Sequence, residues 1–130
     1  MAEVQLINKV DVAGNYGDDN VPVTFSSADV TTTIVQGLTV TKSANKNYWV
    51  DGTLLYTIVV DNQSGAKLSG GTVTDVLDTT KIVFDTDFGV TINGEKTTNF
   101  TYNDGTLTVT LPDVLDTSNA TIAFQVTKIV

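Results

Sequence analysis

The chain has no cysteine and no histidine, and its seven cationic residues are all lysine. With neither thiol nor imidazole, disulfides, Cys- or His-ligated metal sites and His-based acid–base or nucleophilic catalysis are excluded together. Most enzyme chemistry goes with them. Apolar runs are equally scarce: none approaches the ~18 residues of a membrane helix. Residues 1–10 lack the basic region and long apolar stretch of a signal peptide. A soluble chain without membrane insertion is expected, any export signal having been removed or replaced. Fifteen carboxylates against seven lysines leave a net charge of -8, which repels phosphate backbones and anionic lipid surfaces. Nucleic acid is not expected as a partner. No cofactor is implied.

The 130 residues are 41% hydrophobic and 17% charged. That composition is apolar enough to fold, and the length suits one core plus an arm that packs elsewhere. Hydrophobic residues alternate with Thr, Ser and Asp at period two, and no stretch sustains the spacing of an amphipathic helix. Strands are predicted over residues 6–12, 21–25, 29–35, 38–42, 53–61, 71–77, 81–84, 89–93, 97–103, 106–111 and 120–129. β-branched Val, Ile and Thr dominate them, as suits a pleated surface. Asn93-Gly94 and Asp104-Gly105 sit between such runs, where a tight primed turn needs positive φ, so each predicts a hairpin. Pro22 and Pro112 lie at strand edges, where a missing N–H costs little. Many short strands punctuated this way predict an all-β, two-sheet antiparallel sandwich. A Gly-rich acidic stretch at residues 13–20 separates two strand-like runs, and Gln36-Gly37 opens a more continuous series. The division is therefore a β-hairpin arm, residues 1–36, followed by a sandwich, residues 37–130.

Strand parity puts polar groups on apolar faces, because residues i, i+2 and i+4 share a side. Lys42 follows Leu38 and Val40, Asp75 lies between Val73 and Leu77, Asn8 sits among Leu6, Val10 and Val12, and Asn62 follows Ile58 and Val60. An unpaired buried charge costs several kcal/mol, so these groups are expected to meet. Desolvation favours a neutral amine and a protonated acid. Such a lysine can attack an asparagine amide carbon while the carboxyl shuttles protons, leaving an isopeptide bond and releasing ammonia. The plainer reading is an ion pair between Lys42 and Asp75, with Asn8 or Asn62 as a hydrogen-bond partner; Asn62 also suits a strand end or turn.

Three segments resemble a family of bacterial surface repeats, the domain of unknown function eleven. They are Leu38-Thr-Val-Thr-Lys42, Gly52-Thr-Leu-Leu-Tyr-Thr-Ile-Val-Val-Asp-Asn62 and Gly71-Thr-Val-Thr-Asp-Val-Leu77, with a looser likeness through Leu107-Thr-Val-Thr-Leu111 and Thr121-Ile-Ala-Phe-Gln-Val126. The resemblance implies an immunoglobulin-like sandwich of a kind found in extracellular adhesins, surface layers and appendages, on a bacterial cell or spore surface. Some related surface domains carry Lys–Asn isopeptide bonds with an acidic catalyst. In such repeats a closing strand pair follows the Ile-x-Phe-x-Val strand. Here the corresponding strands stand at the front, as Ile7-Asn-Lys-Val-Asp-Val12 and Asp29-Val-Thr-Thr-Thr-Ile-Val35. The sandwich is thus expected to lack its closing strands and to receive them from another copy of the chain, propagating a filament. In that reading Lys42 is the nucleophile, Asn8 of the neighbour the electrophile, with Asn62 the alternative, and Asp75 the proton shuttle. The protein is then a homopolymer subunit and not an enzyme.

Two other readings stay open. In one the arm folds back, giving a self-closed adhesin or surface-layer module with an internal isopeptide bond or only the ion pair. In the other the chain is a binding module, taking calcium through Asp18, Asp19 and Asn20 or through Asp85 and Asp87, or carbohydrate through Tyr48-Trp49. Solvated acidic loops explain the first cluster equally, and no EF-hand spacing is present. The pair Asp85 and Asp87 could also flank a glycosidic bond, but both project from one strand end.

Overall fold

The structure, a computed structural model, describes residues 3–130, which are all β and turn with no helix. The chain divides into two units, Met1–Gln36 and Gly37–Val130.

In the first unit β1 (Glu3–Asn8) pairs antiparallel with β4 (Val30–Val35), and β2 (Asp11–Tyr16) pairs with β3 (Val21–Ser26). The expected loop over residues 13–20 shrinks to a four-residue turn. Gly17 and Asn20 both take positive φ there, and the Asn20 N–H donates to the Gly17 carbonyl. The single strand expected over residues 6–12 is interrupted at Lys9 and Val10, where the ladder changes register. Two residues on the outgoing side face Ser27, Ala28 and Asp29 on the return side, the count of a β-bulge. Ser27 holds the step through its own N–H to the Val10 carbonyl and through its Oγ, which accepts from the Val10 N–H.

The second unit is an antiparallel sandwich. Its larger sheet runs β10 (Glu95–Thr97), β9 (Val90–Ile92), β13 (Ser118–Lys128), β6 (Thr53–Asn62) and β5 (Leu38–Ala44), with β8 (Ile82–Phe84) also on β13. The smaller sheet runs β11 (Phe100–Asn103), β12 (Thr106–Thr110) and β7 (Thr72–Val76). Alternation on β13 buries Ala120, Ile122, Phe124 and Val126, and these meet Leu107 and Val109 of β12 in one core cluster. Phe84 fills its aromatic centre, stacked on Tyr102 at 4.8 Å and tilted against Phe124 at 6.1 Å. Both expected hairpins form, with positive φ at Asn93, Gly94, Asp104 and Gly105. The run expected as one strand over residues 97–103 is divided between the sheets. β10 ends at Thr97 and β11 begins at Phe100, the Thr97 hydroxyl accepting from the Asn99 N–H at the step.

Candidate functional site

Cross-strand register shows which side chains share the inner face of the larger sheet. On β6 and β13, Leu54, Tyr56, Ile58, Val60 and Asn62 stand opposite Val126, Phe124, Ile122, Ala120 and Ser118. On β5 the partners of Asn62, Val60, Ile58 and Tyr56 are Leu38, Val40, Lys42 and Ala44, so these four point inward as well. Yet Leu38 is 42% and Val40 66% exposed, although their β6 partners are buried or half-buried. Among the described residues β5 pairs only with β6, and β7, which pairs only with β12, is likewise an edge of its own sheet. An inward row of apolar side chains is thus left uncovered along one edge of the sandwich.

Lys42 and Asp75 meet at that edge. In the smaller sheet Val73 and Asp75 stand opposite Val109 and Leu107, two of the most deeply buried side chains of the core. Lys42 Nζ lies 2.7 Å from Asp75 Oδ2, the lysine side chain being 42% exposed and the carboxylate 11%. The contact has the length of a charge-assisted pair, and Asp75 Oδ2 makes no hydrogen bond to any other group. On its other side Lys42 Nζ stands 4.3 Å from the centroid of the Tyr56 ring, which in turn packs on Phe124 at 5.4 Å. Tyr56 was not among the expected site residues. It lies diagonal to Lys42, next along the inward row from Ile58, and register on β6 is the signal that finds it.

The asparagines divide sharply. Asn62 is fully buried, its Nδ2 donating to the Ala66 and Val114 carbonyls while its Oδ1 accepts from the Ser64 N–H. It pairs with Leu38, four steps along β5 from Lys42, a separation of roughly 13 Å at the rise of a strand. The fold therefore brings Lys42 and Asp75 together and leaves Asn62 at the far end of the ladder, tying the chain down after β6. Asn8 belongs to the first unit, at the end of β1 opposite Val30, exposed and in a shallow groove with Leu6, Val10, Val30 and Thr32. An amide on an otherwise apolar face is what the parity of residues 6–12 predicts.

Two of the residues considered for other ligands, Asp85 and Trp49, have local partners. Asp85 Oδ1 accepts from the N–H groups of Asp87 and Phe88, closing the turn before Gly89. Trp49 packs against the core cluster and donates from Nε1 to the Gly52 carbonyl, whereas Tyr48 is almost fully exposed. Among the described residues no group of three or more acidic side chains gathers to hold a metal ion. Among the described residues no helix is long and apolar enough to cross a membrane. Comparison with protein-family models, curated proteins and solved structures gave no match.

Proposed function

We propose that the protein is the structural subunit of an extracellular bacterial filament, on a cell or spore surface, in which the arm of one molecule completes the sandwich of the next. The observation that carries this reading is the uncovered inner row Leu38, Val40 and Lys42 beside Asp75. A strand laid between β5 and β7 would cover that row and satisfy the edges, as strand addition does elsewhere. The arm supplies a matching face, with Leu6, Asn8 and Val30 exposed together. Donor and acceptor surfaces differ, so the contact is heterologous and propagates.

The Lys42–Asp75 contact supports a covalent joining step. Once an inserted arm excludes water, the Lys42 ammonium passes a proton to Asp75, and the neutral Nζ attacks Cγ of the neighbour's Asn8. The Nζ–Cγ bond forms, the Cγ–Nδ2 bond breaks, and Nδ2 takes up the proton held by Asp75 and one of the two amine protons, leaving as ammonium with Asp75 again a carboxylate. No oxidant or cofactor is needed. The extracellular assignment rests on the likeness of residues 38–77 to bacterial surface repeats. A second reading, a self-closed surface module stabilised by the ion pair alone, is favoured by the short Lys42–Asp75 contact, which needs no third group to exist.

The test is a gel of assembled protein boiled in denaturant, followed by intact mass. Wild type should give a ladder of multimers, each lacking about 17 Da per bond, and Lys42→Ala and Asn8→Ala should give none. A wild-type monomer at full mass contradicts the crosslink; a monomer lighter by one ammonia moves the bond inside the molecule.

A further inference from the structure

The Lys42 amine is held by two groups, and only one of them takes part in the proton transfer. Asp75 Oδ2 stands 2.7 Å from Nζ, and the centroid of the Tyr56 ring stands 4.3 Å from it. A cation so close to an aromatic face is attracted by the ring quadrupole, the more so once water is excluded. The contact matters because of where Lys42 sits. β5 is an edge strand, the side chain is 42% exposed, and a lysine carries its ammonium on a flexible four-carbon stem. A carboxylate alone fixes the distance of Nζ from one point; a second contact fixes its direction.

Tyr56 is well placed to supply that contact. β6 is paired on both flanks, with β5 and with β13, and the Tyr56 ring packs at 5.4 Å on the fully buried Phe124. The ring is thus anchored on the core while staying half-buried at the edge. Its partner across the β5–β6 ladder is Ala44, whose methyl group covers little of it, and the side chain whose tip reaches the ring is the diagonal neighbour Lys42. Leu54, Ile58 and Val60, the other apolar residues of the same inward row, offer no aromatic face.

We propose that Tyr56 is the positioning residue of the crosslinking step, its ring holding the Lys42 stem in the conformer that presents Nζ to Asp75 and to the amide carbon of the arriving Asn8. The inference rests on the covalent reading above. Tyr56 gains and loses no bond and no proton; it acts through Lys42, which has less freedom left to lose on reaching the reactive geometry. The hold depends on charge. Once the ammonium has given its proton to Asp75 the ring no longer attracts it as a cation, and the neutral Nζ is free to close on the amide.

The test separates docking from chemistry with two full-length chains. Lys42→Ala supplies only the Asn8 of its arm and Asn8→Ala only the Lys42 of its edge, so a mixture forms a single bond, read as a dimer band on a boiled gel. The rate is followed as the Lys42→Ala chain is raised to saturation, the Asn8→Ala chain carrying in addition Tyr56→Leu, Tyr56→Phe or neither. Tyr56→Leu should lower the plateau rate at least about tenfold and leave the half-saturating concentration unchanged, and Tyr56→Phe, which keeps the ring, should restore the plateau. An unchanged plateau overturns the role. So does a loss confined to the half-saturating concentration, which would make Tyr56 part of the docking surface, and so does Tyr56→Phe as slow as Tyr56→Leu, which would assign the effect to the hydroxyl. A second readout needs no substitution at Tyr56. In the free wild-type subunit, ring currents should move the ε-methylene proton resonances of Lys42 upfield of those of the exposed Lys67 and Lys81, and coincident resonances overturn the proposal. Absence of any dimer from the pair without a Tyr56 substitution would instead defeat the crosslink reading, and the positioning role with it.

Discussion

The arm and the sandwich use the same residue types in the same alternation, and their side chains meet opposite fates. Phe124 on β13 is fully buried, while Phe25 on β3 is 61% exposed. Both lie on the apolar side of antiparallel strands. Alternation makes a strand with one oily face; a core requires a second sheet to oppose it. β13 has the smaller sheet across from it, and the arm is a single ribbon two strands wide. Between these extremes lies β5, whose inner residues have an opposing sheet only in part, and there Lys42 meets Asp75 of β7.

That contrast yields tests graded by size. Phe124→Ala should cost about 3–5 kcal/mol in a denaturant melt of the unassembled protein, whereas Phe25→Ala should stay within about 0.5 kcal/mol; equal effects would mean that the arm has a core of its own. Asn62→Ala should cost about 2–4 kcal/mol, because two carbonyls and one N–H lose their partner, two of the three bonds being buried. Asn8→Ala should leave the melt unchanged while removing the boiled-gel ladder, and a change in monomer stability would contradict that division. At the start of the sandwich, Gly37 has φ +87° and a Cβ there would collide with the Gln63 carbonyl. Gly37→Ala should therefore destabilise by about 1–3 kcal/mol, measured in the same melt.

The smallest effect concerns acid. The Thr80 hydroxyl, then its N–H, hold the Asp78 carboxyl below its ordinary value of 3.8, with Lys81 nearby adding to the shift. A carboxyl whose value is lower folded than unfolded contributes stability above its unfolded value and loses it as pH falls through the folded one. Asp78→Asn should remove that increment at neutral pH and flatten the acid limb of a stability–pH curve, so that variant and wild type converge as pH falls below about 4; the group is solvent-exposed, so the change should be slight.

Parity alone was enough to read Lys42, Asp75 and Asn62 as inward-facing, since a period of two assigns sides without knowing the partner strand. It could not say how far Asn62 lies from Lys42, because that depends on the β5–β6 register. The all-β sandwich and both primed hairpins were legible from alternation and from Asn-Gly and Asp-Gly. The bulge at Lys9 and Val10 was not, because it follows from the count of residues on the facing strand and not from local residue types. The crossing between β10 and β11 was hidden for a similar reason: residues 97–103 keep strand-like composition while the chain changes sheets.

The central claim is that one molecule's arm reaches another molecule's open edge, and isotope mixing tests it most directly. Light and ¹⁵N-labelled subunits would be mixed before assembly, and the crosslinked peptide containing Lys42 and Asn8 isolated by mass spectrometry. Heavy–light hybrids should appear alongside the all-light and all-heavy species, each short of one ammonia. A crosslinked peptide found only as all-light and all-heavy would place the bond within one chain and contradict the exchange of arms.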